Sequence, residues 1–259
     1  MSQISIAQVE KSYQTRHGSV LALADVNLSI AEGEFVSLVG PSGCGKSTLL
    51  YMVGGFLKPD SGRIEVDGKL VQKPGLDRGL VFQQYALFPW LTVLQNIAYG
   101  LEAAGTPRKQ RLAVAAEFVS MVGLKGFEHR YPRELSGGMQ QRVALARTLS
   151  YDPKILLLDE PFGALDSQTR ESMQDELLRI CASMRKTVLM VTHDVNEAVY
   201  LSKRVVVMSR RPGTIVDEFP VDIDRSQGRE EIMLSDSFND IRNKVWLAVR
   251  HQASPESVL

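Results

Sequence analysis

Phe35-Val-Ser-Leu-Val-Gly-Pro-Ser-Gly-Cys-Gly-Lys-Ser-Thr48 is the stretch whose reading decides the fold. Phe35–Val39 is a nearly continuous apolar run of strand length, as expected of a strand covered on both faces. A glycine-rich turn follows it, and then a helix-forming run, Lys46–Val53. Residues 40–48 satisfy the pattern G-x-x-x-x-G-K-[ST] in full, between the strand and the helix that this pattern requires. Gly40, Gly43 and Gly45 let the backbone around Pro41, Ser42 and Cys44 turn its amides inward about an anion, and the helix start adds the positive end of its dipole. In this reading Lys46 reaches the β- and γ-phosphates of a nucleotide, the Ser47 hydroxyl ligates magnesium, and Thr48 supports the α-phosphate side. Cys44 fills a free position of the pattern and receives no chemistry of its own. The competing reading is a Gly/Ser-rich turn without a ligand, and the strand and helix on either side weigh against it.

Outward from this loop, 155–158, Thr187–Val191 and 205–208 repeat the continuous apolar pattern, and helical stretches at 168–184 and Val195–Leu201 alternate with them. Strand then helix, repeated, predicts an α/β fold with a parallel sheet. The opening segments differ. Ile4 and Ile6, then Val26, Leu28 and Ile30, then Ile64 and Val66 fall on alternate positions, the period of half-buried antiparallel strands. From 92 to 149 the pattern is helical throughout, with Pro107 placed to start one helix and Gly123 to end another. The expected organisation is a single domain: an α/β core over 1–91 and 150–219, an inserted helical subdomain over 92–149, and a short helical tail over 220–259. A short strand is expected at 214–219 and a last amphipathic helix at 238–249.

With 259 residues, 44% of them hydrophobic, the chain can bury one substantial core. Its 30 basic and 30 acidic residues cancel, so no global field draws it to nucleic acid. Cys44 and Cys181 are far apart and fit no metal spacing, which favours a reducing intracellular compartment. The first residues lack the basic start and apolar run of a signal peptide. A helix crossing a bilayer needs about 20 largely apolar residues, whereas the longest apolar runs here are strand-sized. A soluble protein is expected, with any membrane role exerted through a partner.

Ile155-Leu-Leu-Leu-Asp-Glu160 is an apolar strand that ends in two carboxylates. A buried strand finishes in charge where a ligand or metal compensates it. Asp159 is expected to hold magnesium, directly or through water, and Glu160 to orient and polarise the attacking water. The competing reading is an acidic pair capping a helix before Pro161.

Leu135-Ser-Gly-Gly-Met-Gln-Gln-Arg142 narrows the class of nucleotide enzyme, because it presents small residues at a helix start, a second ready anion site. Here the chain resembles the ATP-binding-cassette (ABC) ATPases, whose signature is Leu-Ser-Gly-Gly-Gln followed by a basic residue. Met139 stands where the family usually has Gln; Ser136, Gly137 and Gly138, which carry the family's phosphate contacts, are kept. The resemblance covers nearly the whole chain. It implies a P-loop cassette with a mixed sheet, an antiparallel β subdomain and an inserted helical subdomain. It makes Tyr13 the aromatic ring that stacks on adenine, and Gln83, after 80–82, the glutamine that contacts magnesium and the lytic water. Ala164-Leu165-Asp166 becomes the loop that crosses to the second subunit, and His193 the switch that senses the γ-phosphate. The other histidines, His17, His129 and His251, match nothing. Taken singly, a tyrosine such as Tyr13 is usually a core residue, and a strand-end histidine such as His193 is more often a satisfied surface group.

The same resemblance implies a homodimer closing head to tail around two ATP molecules with Mg2+, each signature segment reaching the ATP of the other copy. Stand-alone short cassettes resemble subunits of bacterial importers, working at the cytoplasmic face of the inner membrane with integral permease subunits and, indirectly, a solute-binding protein. Tyr85-Ala-Leu-Phe-Pro-Trp90 lies where the family grips its membrane partner, although Phe88 and Trp90 also read as anchors of the helical subdomain. With Glu160-Pro-Phe-Gly-Ala-Leu-Asp166 and Arg210-Arg-Pro-Gly213, it makes the chain look like the nitrate/sulfonate/taurine importer group. Two other readings stand beside it: a soluble cassette ATPase acting on nucleic acid or protein complexes, which neutral charge disfavours, and a scaffold that binds ATP without hydrolysing it, which Glu160 and His193 disfavour. No nucleic-acid partner and no substrate-sensing domain are expected.

Overall fold

The structure is a computed structural model that describes residues 2–16, 18–83, 85–163 and 165–253. His17 and Ala164 lie outside the described residues. The chain separates into two compact units, one built from the described residues up to Gly75 and from Met184 onward, the other from Leu76–Ser183. In chain order the first unit begins with β1 (Ser2–Thr15), β2 (Gly18–Ala31), β3 (Phe35–Val39), α1 (Lys46–Val53), β4 (Ser61–Val66) and β5 (Lys69–Leu70). The second unit carries β6 (Arg78–Val81), α2 (Val93–Ala103), α3 (Arg108–Met121), a 3-10 turn (Pro132–Glu134), α4 (Gly137–Leu149), β7 (Ile155–Asp159) and α5 (Ser167–Ser183). The first unit then resumes with β8 (Thr187–Val191), α6 (Val195–Leu201), β9 (Arg204–Met208), β10 (Ile215–Pro220), α7 (Arg229–Leu234) and α8 (Asp236–Ala253).

In the first unit the alternating strands form an antiparallel sheet in the order β2-β1-β4-β5. Beside it, β3 pairs in parallel with β8 on one edge and β9 on the other, and β10 adds antiparallel to β9, so this sheet is mixed. Every residue of β3 and β8 is buried, which is why both read as unbroken apolar runs and not as alternations. Arg204 ties three strands together: its guanidinium donates to both carboxylate oxygens of Glu34 at 2.8 and 3.0 Å, to Glu218 at 2.5 Å and to the Ser29 carbonyl at 2.6 Å.

The second unit holds the parallel pair β6–β7 and the helices expected between 92 and 149. Pro107 and Gly123, expected on different helices, bound the same one. Pro107 precedes the first residue of α3, and Gly123, at φ 66°, turns the chain just past its end. The start of α2 is fixed by a reciprocal cap between Thr92 and Gln95. Asn96, 0% exposed, organises the loop before it. Its Oδ1 accepts the Phe88 N–H at 2.9 Å, and its Nδ2 faces the carbonyls of Phe88, Leu91 and Thr92 at 3.1, 2.9 and 3.1 Å. Asn96→Ala leaves the half-buried Phe88 N–H and the Leu91 and Thr92 carbonyls without this partner and opens a void at a fully buried position, so a loss of about 2–3 kcal/mol is expected. Urea unfolding measures it, and an unchanged midpoint would contradict this role.

Candidate nucleotide site

The phosphate loop follows from two constraints on its glycines. Gly40, Gly43 and Gly45 have φ of 152°, 74° and 108°, a backbone region that side chains with a Cβ rarely occupy. A Cβ at Gly40 would stand 2.7 Å from the Met208 carbonyl oxygen, and one at Gly45 would stand 2.5 Å from Leu23 Cδ2. Gly45 caps α1 without a side-chain hydrogen bond, so the first amides of that helix face the loop and not a capping oxygen. Lys46 is only 7% exposed. Its Nζ donates to the carbonyls of Gly40 at 2.8 Å and Pro41 at 2.9 Å, and lies 3.7 Å from Cys44 Sγ. Ser42 is exposed on the loop, while Ser47 and Thr48 are half-buried at the helix start. The Tyr13 hydroxyl sits 3.2 Å from Thr48 Oγ1, which tethers a half-exposed aromatic ring beside the loop.

A wall of this loop comes from residues that the sequence marked only as a group feature. Gly213 donates its N–H to the Ala22 carbonyl at 2.8 Å and accepts from the Ala24 N–H at 3.1 Å. A Cβ there would fall 2.0 Å from the Cys44 carbonyl oxygen. Arg211 donates to the Gly43 carbonyl at 3.2 Å. In the same unit His193 is exposed just after β8, and Asp194 behind it caps α6 by accepting from the N–H groups of Asn196 and Glu197.

The second unit brings the other predicted groups together in two places. At the end of β7, Asp159 is 1% exposed and Glu160 follows it at φ 46°, a left-handed conformation costing about 1–2 kcal/mol for a residue with a Cβ. Such strain persists where surroundings over-determine it, and functional positions are a common place for it. Gln83 donates its Nε2 to Glu160 Oε2 at 3.1 Å, so these two expected water-handling groups are in contact. At the start of α4, Ser136 caps the helix by accepting the Met139 N–H at 3.3 Å. Ser136 and Gly137 are exposed there, and a Cβ at Gly138 would stand 3.0 Å from Leu165. Asp166 is exposed and caps α5, and the Thr169 N–H it accepts holds its carboxyl below the usual carboxylate range.

The Ser47 hydroxyl in the first unit and, taken separately, the Asp159 carboxylate and Gln83 amide oxygen in the second are hard oxygen donors of the kind that suits magnesium. Among the described residues no three His, Cys, Asp or Glu side chains could hold a metal by themselves. Magnesium commonly takes only one or two protein groups together with phosphate oxygens, so the donors of either unit by themselves are of a type and number that fit that ion.

A glycine-cradled loop between a buried strand and a helix, on a mixed sheet, defines a P-loop nucleotide-binding cassette. The chain belongs to the ABC transporter family, which matches residues 23–163. It is 51% identical over 220 residues to the nitrate import ATP-binding protein NrtD of Synechocystis, covering 85% of this chain and 83% of that protein. It is 44% identical over 243 residues to the bicarbonate transport ATP-binding protein CmpD of Synechocystis, covering 93% of this chain and 86% of that one. A dimeric structure of the ABC transporter cassette MJ0796 matches with a TM-score of 0.78 at 37% identity, over 85% of this chain and 99% of that one. The chain is an ABC-type ATPase.

Proposed function

We propose that this chain is the energy-coupling subunit of an importer for a small anion of the nitrate, bicarbonate, sulfonate or taurine kind. The observation that carries this reading is the 51% identity to a nitrate import ATP-binding protein over most of both chains. Among the described residues no helix is long and apolar enough to cross a membrane, so the solute path is assigned to separate permease subunits. The chain would sit peripherally on the cytoplasmic face of the inner membrane, reached indirectly by a solute-binding protein. Trp90, 69% exposed, and Tyr99, 45% exposed, flank Phe88, whose ring centroid lies 5.6 Å from Trp90 and 4.4 Å from Tyr99. Exposed, rigid aromatic groups of this kind suit a partner's pocket.

In this reading Tyr13 stacks on adenine, the loop from Gly40 to Thr48 cradles the phosphates, and Lys46 gives up its carbonyl partners for the β- and γ-phosphates. Magnesium, when bound, neutralises phosphate charge, and Ser47, Asp159 and Gln83 would hold it. Glu160 accepts the proton of the attacking water, a role typically worth about 10²–10⁴ in rate. Gln83 positions that water, and His193 reads the γ-phosphate. The dimeric MJ0796 cassette supports pairing of two copies; in this reading they close head to tail, with Ser136, Gly137 and Gly138 of each copy on the other's ATP and Asp166 crossing between copies. The γ-phosphate then favours the closed pair, and hydrolysis releases it.

The test is to purify the chain with the polytopic membrane protein that binds it, reconstitute both with the receptor, and titrate nitrate, bicarbonate, an alkanesulfonate and taurine. One of these solutes is expected to raise ATP turnover severalfold. DNA-stimulated turnover with no membrane partner would overturn the reading.

A further inference from the structure

The segment that follows Gln83 is fastened to the signature helix by one side chain that no motif assigns. Arg147 lies in the last turn of α4. One guanidinium nitrogen donates to the Ala86 carbonyl at 2.7 Å and the other to the Tyr85 carbonyl at 3.2 Å. The same group lies 5.5 Å from the centroid of the Phe88 ring, at cation–π range. Two successive carbonyls and an aromatic face are therefore held by one planar fork, a geometry that lysine does not reproduce. Ala86 adopts φ 47°, an unfavourable backbone for alanine, at the residue whose carbonyl takes the shorter of the two bonds. The segment also meets the other end of the helix, where the Tyr85 hydroxyl stands 3.2 Å from the position a Cβ on Gly137 would take. Residues 85–88 are thus laid along α4, fixed at its last turn by Arg147 and abutting its first residue through Tyr85.

We propose that Arg147 is a positioning residue that couples the Phe88–Trp90 face to the Ser136–Gly138 end of α4, so that displacement of one moves the other. This rests on the reading of that face as the contact with a membrane subunit. A helix is stiff along its axis, and 10 residues of it span about 15 Å. A pull on Phe88 reaches the fork directly and is passed through α4 and Tyr85 to Gly137, where a neighbouring copy's ATP is expected.

Two readouts test it on the full chain. In Arg147→Met, amides of Phe88 and Leu91, which pair with Asn96 and with the Phe88 carbonyl, are expected to exchange about tenfold faster, with α3 and β7 unchanged. In the complex reconstituted with its membrane subunits, solute imported per ATP hydrolysed is expected to fall about tenfold while the KM for ATP stays within about twofold. Arg147→Lys, which keeps the charge and loses the fork, should fall between native and Met on both readouts; should the Met variant fail to fold, the Lys variant decides. Exchange that rises uniformly across the unit, or native import per ATP, overturns the proposal. Failure of the docking reading shows separately: Trp90→Ala would then leave assembly with the membrane subunits native, overturning the coupling role while the local exchange result stands.

Discussion

Replacing Glu160 with Gln is expected to lower ATP turnover by about 10²–10⁴ while nucleotide binding survives. The substitution is nearly isosteric, and the amide oxygen can still accept the hydrogen bond that Gln83 now makes to Glu160 Oε2. Asp159 stays buried beside it, and the φ of 46° at position 160 is neither relieved nor worsened. Only the ability to take a proton from water is removed. The closed, ATP-loaded pair of chains should then accumulate, because the step that reopens it is the one that was slowed. Size-exclusion chromatography in ATP reads the accumulation, and phosphate release reads the rate. Native turnover would take Glu160 out of the mechanism.

Gly213→Ala is expected to weaken ATP binding by about tenfold or more, equivalent to about 1.4 kcal/mol, because the loop that holds the phosphates must shift. The added methyl would stand 2.0 Å from the Cys44 carbonyl oxygen, with Leu23 Cδ2 and Met208 Cε both at 3.1 Å. Gly213 cannot retreat, because its N–H and carbonyl are bonded to Ala22 and Ala24 on the other side. The phosphate loop must move, and Lys46, which bonds carbonyls of that loop, moves with it. Gly228→Ala is the control, since nothing lies within 4 Å of the methyl it adds. Titration with a fluorescent ATP analogue distinguishes the two, and native affinity in the Gly213 variant would show that the loop tolerates the shift.

Much of the core was legible because its physics is local. The phosphate loop announces itself in nine consecutive residues, and α1 and α6 begin and end where the sequence pattern places them. The helix expected at 168–184 forms at Ser167–Ser183, and the last helix, expected at 238–249, runs longer, over Asp236–Ala253. The long first hairpin was harder. β1 and β2 are each 14 residues, yet only Ile4, Ile6, Val26, Leu28 and Ile30 show the alternation. Register shifts between Ile6 and Val9, Val9 and Lys11, and Lys11 and Ser12 each break the period, so no single phase runs through the strand. The short helix α7 hid in a polar stretch, carrying Glu230 and Glu231 in its first turn.

At the site, Asp159 and Glu160 were readable as carboxylates at a strand end and Gln83 only through the family resemblance, and the Gln83–Glu160 bond joins groups 77 positions apart. Nothing local announces the left-handed backbone of Glu160, since glutamate has no preference for it. Arg147 read as an ordinary residue of a helical run, because its carbonyl partners lie 61 and 62 positions earlier. Gly213 followed a proline and resembled any turn glycine; its need for a bare Cα becomes visible only against the Cys44 carbonyl.

That buttress has a bearing on how the cassette could be dissected. The stretch shared with the wider family, 23–163, stops before β8 and β9, the two strands flanking β3, and before Arg211, whose bond to Gly43 spans 168 positions. The loop that reads as a self-sufficient signature is therefore moulded by chain that leaves the ribosome long after it. Nascent polypeptide that ends between Thr48 and Gly213 would carry every letter of the motif and lack the contacts of Gly213 and Arg211 that brace it.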